Sequence, residues 1–242
     1  RKHAIFEDKY FGPKPIKVVG DWKDQDILKN LYQGFSIKLP KHECLDLPPM
    51  VFEDVSFKAS KDYKVIEKDR VLGDVLYDSV PKLQHGLRFN ANQLDKLSYS
   101  EMLAEGTNEN IIFFYYYQEE KNELIKIMKK LKKKIYEVSG QKSELPNKSI
   151  WSDLTNSVTL VQYMAGAAGI ELQYANIVVM YTPTYSYQDY EQSLGRAYRN
   201  GQTKKVTVYR FLTKDTIEEA IYGALKNKKN FTEELFKKVV KI

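Results

Sequence analysis

The chain has 242 residues, 43% hydrophobic and 13% aromatic, enough for one large domain, or one domain with an appendage, and a real core. A formal charge of +6 and a pI of about 9.0 suit an anionic partner and carry no information about fold. One cysteine, Cys44, excludes an internal disulfide framework and a multi-cysteine zinc site, and fits a reducing compartment; His3, His42 and His85 are too scattered for a metal cluster, and no apolar run is long enough to cross a bilayer.

In chain order, residues 1–90 read as irregular because six of the eight prolines fall there. Within them "DWKDQDILKNLYQ" (21–33) predicts a short helix, with Ile27, Leu28 and Leu31 at helical spacing, and "MVFEDVSFKAS" (50–60) alternates as a strand. Lys58 to Leu103 reads as mostly helical. After about residue 107 the rhythm changes. "NIIFFYYY" (110–117) is a buried strand, 119–133 a helix with Leu124, Ile127, Met128 and Leu131 on one face, and "KIYEVS" (134–139) a second strand. "SVTLVQYM" (157–164) is a third strand, followed by the small-residue turn "AGAAG" (165–169). "ANIVVMYTP" (175–183) is a fourth, 186–199 a helix, "KVTVYRFL" (205–212) a fifth strand and 215–228 a helix capped by Asp215. Strands alternating with helices predict an α/β fold, a doubly wound parallel sheet with helices on both faces. The change of rhythm sets a connector at 1–106 and the α/β domain at 107–242. The opening at Arg1, without a Met, reads as a piece of a longer protein.

Ligands of open parallel sheets sit at the carboxyl ends of the strands, and three stretches there have distinctive chemistry. The loop "QYMAGAAG" (162–169) lacks side-chain bulk, so backbone amides can approach an anion closely; a tight turn that packs a strand on a helix reads equally from the same residues. In "DYEQSLGRAYRNGQ" (189–202), Gln192, Arg196 and Arg199 are spaced i, i+4, i+7 on one helix face. Arginine offers a planar, permanently charged fork suited to phosphate oxygens. Pairing of these arginines with Asp189 and Glu191 in a surface cluster is the alternative. The lysines at 129, 130, 132, 133 and 134 form a solvated helix face or a nucleic-acid contact. No G-x-x-x-x-G-K-[ST] loop and no acidic box after an apolar strand occur. The chain has arginines fit to stabilise a transferring phosphoryl group and nothing of its own to cradle nucleotide and magnesium.

These residues resemble a family. "YEQSLGRAYRNGQTKKVTVYRFLTKDTIEEAIY" is similar to the last conserved block of superfamily-two helicases of the Swi/Snf type, Q-x-x-G/D-R-x-x-R-x-G-Q followed by a strand and T-I-E/D-E. "LVQYMAGAAGIELQYANIVVMYTP" resembles the preceding helicase motif, "NIIFFYYYQEEKNEL" the first motif of the second motor lobe, and "CLDLPPMVFEDVSF" the link between lobes; the wording is nearest to phage and Gram-positive bacterial members. The resemblance implies a RecA-like (P-loop NTPase-like) second lobe of a motor that hydrolyses ATP, with Mg2+, in a cleft against an N-terminal RecA-like lobe while moving along duplex DNA in a bacterial or phage-infected cytoplasm. It implies no membrane and no metal held by this lobe. Arg196 and Arg199 would be the arginine fingers, with Gln192 and Gly169 also at the nucleotide. Tyr115, Gln162, Ala165 and Gly166 would meet DNA. Two positions depart from the pattern. Glu171 stands where the family often has Asn, and an acid there would weaken a direct phosphate contact; "FSIKLPKHE" replaces the usual paired arginines of the link. A stand-alone DNA- or protein-binding module of the same fold is the rival reading.

Overall fold

The computed structural model describes residues 4–10, 15–35, 46–165 and 169–241. Cys44, His3, His42, the 36–43 part of the link and Gly166, Ala167 and Ala168 of the small-residue turn therefore lie outside the described residues. The chain divides into two compact units, 1–46 and 47–242.

The first unit pairs β1 (Ala4–Tyr10) antiparallel with β2 (Pro15–Trp22), followed by α1 (Gln25–Phe35). The helix was expected. The hairpin was hidden by Pro13 and Pro15, which read as breakers; Pro15 instead opens a strand, a position that needs no ladder donor.

The second unit is a seven-stranded sheet in the order β3 (Met50–Phe57), β11 (Val206–Thr213), β10 (Ile177–Met180), β6 (Ile111–Tyr115), β9 (Ser157–Gln162), β7 (Lys134–Val138), β8 (Ser143–Glu144). All neighbours are parallel except β8, a short antiparallel edge on β7. The expected doubly wound α/β sheet is present, and a separate antiparallel pair, β4 (Val71–Leu72) with β5 (Val75–Leu76), stands outside it. β3 extends the large sheet, pairing with β11 along eight residues from Met50↔Val206 to Phe57↔Thr213. The sheet thus begins within the stretch that the sequence rhythm assigns to the connector.

The strands β6, β9 and β10 are apolar on both faces, as buried parallel strands must be. Alternation then sorts their side chains into two layers. Ile112, Phe114, Val161, Val178 and Met180 join one core cluster; Ile111, Phe113, Tyr115, Leu160 and Val179 join the other. The first cluster is closed by α2 (Lys61–Asp69), α3 (Val80–Phe89), α6 (Tyr187–Ala197), α7 (Ile217–Lys226) and α8 (Glu233–Val240). The second is closed by α4 (Gln93–Glu105) and α5 (Gln118–Lys130). Pro81 sits in the first turn of α3, where its missing N–H costs no helix bond. α7 is capped by the Thr216 hydroxyl, which accepts from Glu218 N, rather than by the expected Asp215; Asp215 instead adopts φ 56° in the turn before the cap. Among the described residues no helix is long and apolar enough to cross a membrane.

One buried ion pair joins the helices before the central strands to those after them. Lys96 on α4 donates to Glu218 on α7 at 2.5 Å, and both side chains are fully buried. The second Glu218 oxygen accepts from Thr213 N at 2.8 Å. Taking one partner away strands the other charge out of water. Lys96→Ala or Glu218→Ala is expected to lower unfolding free energy by about 3–5 kcal/mol in urea titrations, whereas the apolar pair Lys96→Met with Glu218→Leu is expected to lose far less.

Candidate functional site: the amino edge of the sheet

α6 leaves the carboxyl end of β10 and delivers the chain to the amino end of β11, so it runs antiparallel to the strands over about 16 Å. The Ser186 hydroxyl caps it, accepting from Asp189 N at 3.1 Å. Tyr190, Ser193, Leu194 and Ala197 form its buried stripe. Gln192 and Arg196 lie beside that stripe and are half-buried. The helix ends at Ala197 with Tyr198 as C-cap, so Arg199 is not on the helical face that the i, i+4, i+7 spacing suggested. It sits in the turn that follows, also half-buried.

The Asn200-Gly201-Gln202 turn fixes where that arginine stands. Gly201 takes φ 94°, a conformation side chains rarely adopt. Gln202 N donates to the Arg199 carbonyl at 3.0 Å. The Gln202 side chain is 5% exposed; its amide donates to the carbonyls of Ala175 (2.9 Å) and Ala197 (3.2 Å), while its oxygen accepts from Lys204 N (3.0 Å). One side chain thus ties the helix end, the turn and the entry to β10.

The 169–175 segment lies against the same helix end. Gly169 is exposed with φ 67°. Leu172 N donates to the Arg196 carbonyl at 3.1 Å, and the Gln173 amide to the Asn200 carbonyl at 3.3 Å. Just before these anchors Glu171 forms an ion pair with Lys148 of the short 3-10 turn Lys148–Ile150. The Lys148 ammonium holds the Glu171 carboxyl below its ordinary range, and Arg199 and Gln173 add to the shift.

The remaining expected residues stand at the other end of the strands. Gln162 ends β9, in register with Tyr115 at the end of β6. Ala165 is half-buried and lines a cavity of about 440 Å³ with Val138, Ser139, Met164 and Ile170. Tyr115 is fully buried, and its hydroxyl has no hydrogen-bond partner. Burial keeps that ring away from any ligand at the surface; Tyr116, 38% exposed, is the aromatic side chain of this turn that reaches solvent. The structure therefore brings Arg196 and Arg199 together with the segment after Gly169, and sets them apart from Tyr115, Gln162 and Ala165.

The sequence reading missed Arg88. Its guanidinium is 1% exposed, donates to the Pro183 carbonyl at 2.5 Å and lies 3.7 Å from the Tyr116 ring centre and 4.3 Å from that of Tyr185. Cation–π contacts of this kind offset part of the cost of burying the charge. The cluster holds the β6 and β10 exits side by side, where the strand order reverses. The available signal was an arginine next to Leu87 on the inner side of α3. Glu120 completes the arrangement, accepting from Tyr116 N, Tyr117 N and the Thr182 hydroxyl.

Comparison with known proteins locates this fold. Residues 92–201 match the family model described as "Helicase conserved C-terminal domain". The chain is similar to the ATP-dependent helicase fft3 of Schizosaccharomyces pombe, 45% identical over 71 residues, covering 29% of this chain and 8% of that protein. It is also similar to the human DNA excision repair protein ERCC-6, 46% identical over 70 residues, covering 29% and 5%. The C-terminal part of the Fun30 ATPase domain superposes with a TM-score of 0.59 at 15% identity, covering 81% of this chain and 96% of that one, and shares the fold. Residues 92–201, less than half of the chain, are thus similar to the helicase conserved C-terminal domain, and the fold is that of the C-terminal part of the Fun30 ATPase domain. The matched stretch spans less than a tenth of these curated relatives.

Gln202→Ala would leave two carbonyls at the helix end without their donor. A loss of about 1–3 kcal/mol in unfolding free energy is expected, together with faster amide hydrogen exchange across 198–206 but not in β6 or β9.

Proposed function

We propose that this chain is the second motor lobe of an ATP-dependent DNA helicase or translocase, with Arg196 and Arg199 as its arginine fingers. The observation that carries the reading is the pinning of both arginines against the 169–173 segment by Gln202 and by the Leu172 and Gln173 bonds. Groups that stabilise a transition state act best when their position is fixed in advance. Two half-buried guanidinium groups on a braced turn meet that requirement, and their forks fit phosphate oxygens.

Among the described residues no group of three or more His, Cys, Asp or Glu converges to hold a metal. In this reading the nucleotide, the magnesium and the activation of water belong to a first RecA-like lobe. Bound ATP supplies the phosphoryl group whose transfer drives movement. This chain's part is to close on that lobe, bring the guanidinium groups to the terminal phosphate and orient its end through Gln192. Gly169, exposed at φ 67°, would let the backbone approach closely there. DNA would run along the carboxyl edge, past Gln162 and Ala165, with Tyr116 rather than Tyr115 as the reachable ring; Gly166, the other expected contact, lies outside the described residues. The names of the relatives, an ATP-dependent helicase and a DNA excision repair protein, support the use of ATP and DNA in this reading. The reading includes a cytoplasmic setting in a bacterium or phage-infected cell, which rests on motif wording and the single cysteine.

Loss of one such arginine costs about 10³-fold or more in phosphoryl-transfer rate. Arg196→Ala and Arg199→Ala, made in the protein that joins both lobes, are expected to abolish DNA-stimulated ATP turnover while DNA affinity in a filter or anisotropy assay stays near wild type. Retained turnover in both would defeat the finger assignment. The chain tested alone is expected to show no magnesium-dependent ATP hydrolysis; measurable turnover that follows the purified fragment would contradict the division between lobes.

A further inference from the structure

Arg88 has too few acceptors for a buried cation. Its side chain is 1% exposed, its Nη2 donates to the Pro183 carbonyl, and its Nε is buried without a hydrogen-bond partner. Glu120, the acid of the same cluster, is fully engaged elsewhere. One of its oxygens accepts from the Gln93 amide (3.0 Å) and the Thr182 hydroxyl (2.5 Å), the other from Tyr116 N and Tyr117 N (3.0 Å each). Those bonds fill the acceptor sites of the carboxylate. The Tyr116 and Tyr185 rings attract the guanidinium through their faces and leave Nε unbonded. An unpaired donor on a buried charge marks a place where an acceptor from outside is favourable.

Arg88 also lines a cavity of about 240 Å³, with Gln84 and His85 of α3 and with Tyr116 and Tyr185 among its other walls. No described residue that lines it is acidic. Cavities that enclose a whole small ligand start at about 300 Å³, so this one suits a single chemical group. It lies at the carboxyl edge, since Tyr116 directly follows β6 and Tyr185 follows β10.

We infer that this cavity is a phosphate site for nucleic acid: one backbone phosphate accepts from Arg88 Nε, and the adjoining sugar or base lies on Tyr116. The inference rests on the reading of the carboxyl edge as the DNA path and names the group that holds the strand there. A phosphodiester oxygen is charged, so its bond to a guanidinium is of the strong, charge-assisted kind. The Gln84 amide supplies a further donor at the mouth. Tyr116, 38% exposed, offers ring surface to the neighbouring nucleotide. A protein carboxylate would answer Arg88 equally well but brings nothing flat for that ring. Free phosphate shares the chemistry of the backbone group and is separated from it by the test.

The Arg88 Nε–H resonance of the isotopically labelled chain, identified by its absence in Arg88→Lys, reports on the site directly. A short duplex oligonucleotide at low salt is expected to shift it at phosphate concentrations where inorganic phosphate has no effect. Equal potency of the two per phosphate, or a shift with inorganic phosphate alone, would overturn the nucleic-acid assignment. Oligonucleotide that binds the chain while this resonance stays fixed would overturn the site and leave the DNA reading standing. No binding at low salt would remove both. Arg88→Lys keeps a charge but loses the Nε donor, and is expected to weaken duplex affinity by anisotropy about tenfold. Because Arg88 is buried, Gln84→Glu at the half-buried mouth provides a variant outside the core. Its carboxylate is expected to take the guanidinium, weaken affinity by a similar factor and reduce the slope of log K against log salt by about 0.9, the value of one phosphate contact. Thermal unfolding checks the fold of each variant. Unchanged affinity and slope in folded Gln84→Glu would overturn the inference.

Discussion

The amino edge of this sheet depends on one buried side-chain amide. Gln202 lies only three residues beyond Arg199, yet its bonds reach the carbonyls of Ala175 and Ala197. A carbonyl at a helix end and another at a strand entry both need donors once buried. A single amide supplies both, and in doing so converts a flexible turn into a fixed corner. Gly201 at φ 94° permits the chain to reverse tightly enough for that amide to arrive. The two arginines inherit their positions from this corner.

The opposite edge is organised by a different kind of contact. Arg88 brings a full charge into the interior without a described ion pair, and is held by one carbonyl and the faces of tyrosine rings. Glu120 saturates the amides at the start of α5 and receives the Thr182 hydroxyl. Together they fix the exits of β6 and β10. α6 spans the two edges, beginning beside the Arg88 cluster and ending at the Gln202 corner. A rigid helix of about 16 Å is a direct mechanical path between the carboxyl edge and the arginines. Its braced ends give that path its precision.

The sheet was legible because buried parallel strands write themselves as short apolar runs, as in "NIIFFYYY" and "ANIVVMYTP". The stretch bearing Gln192, Arg196 and Arg199 stood out in the sequence because of its spacing and the Asn200-Gly201-Gln202 turn that follows it. What local pattern could not show were long-range choices. The Lys96–Glu218 pair links residues 122 apart, and α4 alone reads Lys96 as a surface lysine. β3 joins the sheet through pairing with β11 more than 150 residues away. Tyr115 and Tyr116 are adjacent in a run of three tyrosines, and only the pleat decides that the first is buried and the second reaches water. Arg199 fell off the expected helical face because the Tyr198 cap ends the helix two residues early. Ion pairing at Glu171 needed a partner, Lys148, from a separate loop.

The most direct measurement is a structure of the joined lobes with a non-hydrolysable ATP analogue and magnesium. The account requires the Arg196 and Arg199 guanidinium nitrogens within about 3 Å of terminal phosphate oxygens, with Gln202 still bonded to the Ala175 and Ala197 carbonyls. Guanidinium groups left facing solvent or the Glu171 carboxylate, with the nucleotide bound in a closed cleft, would contradict it.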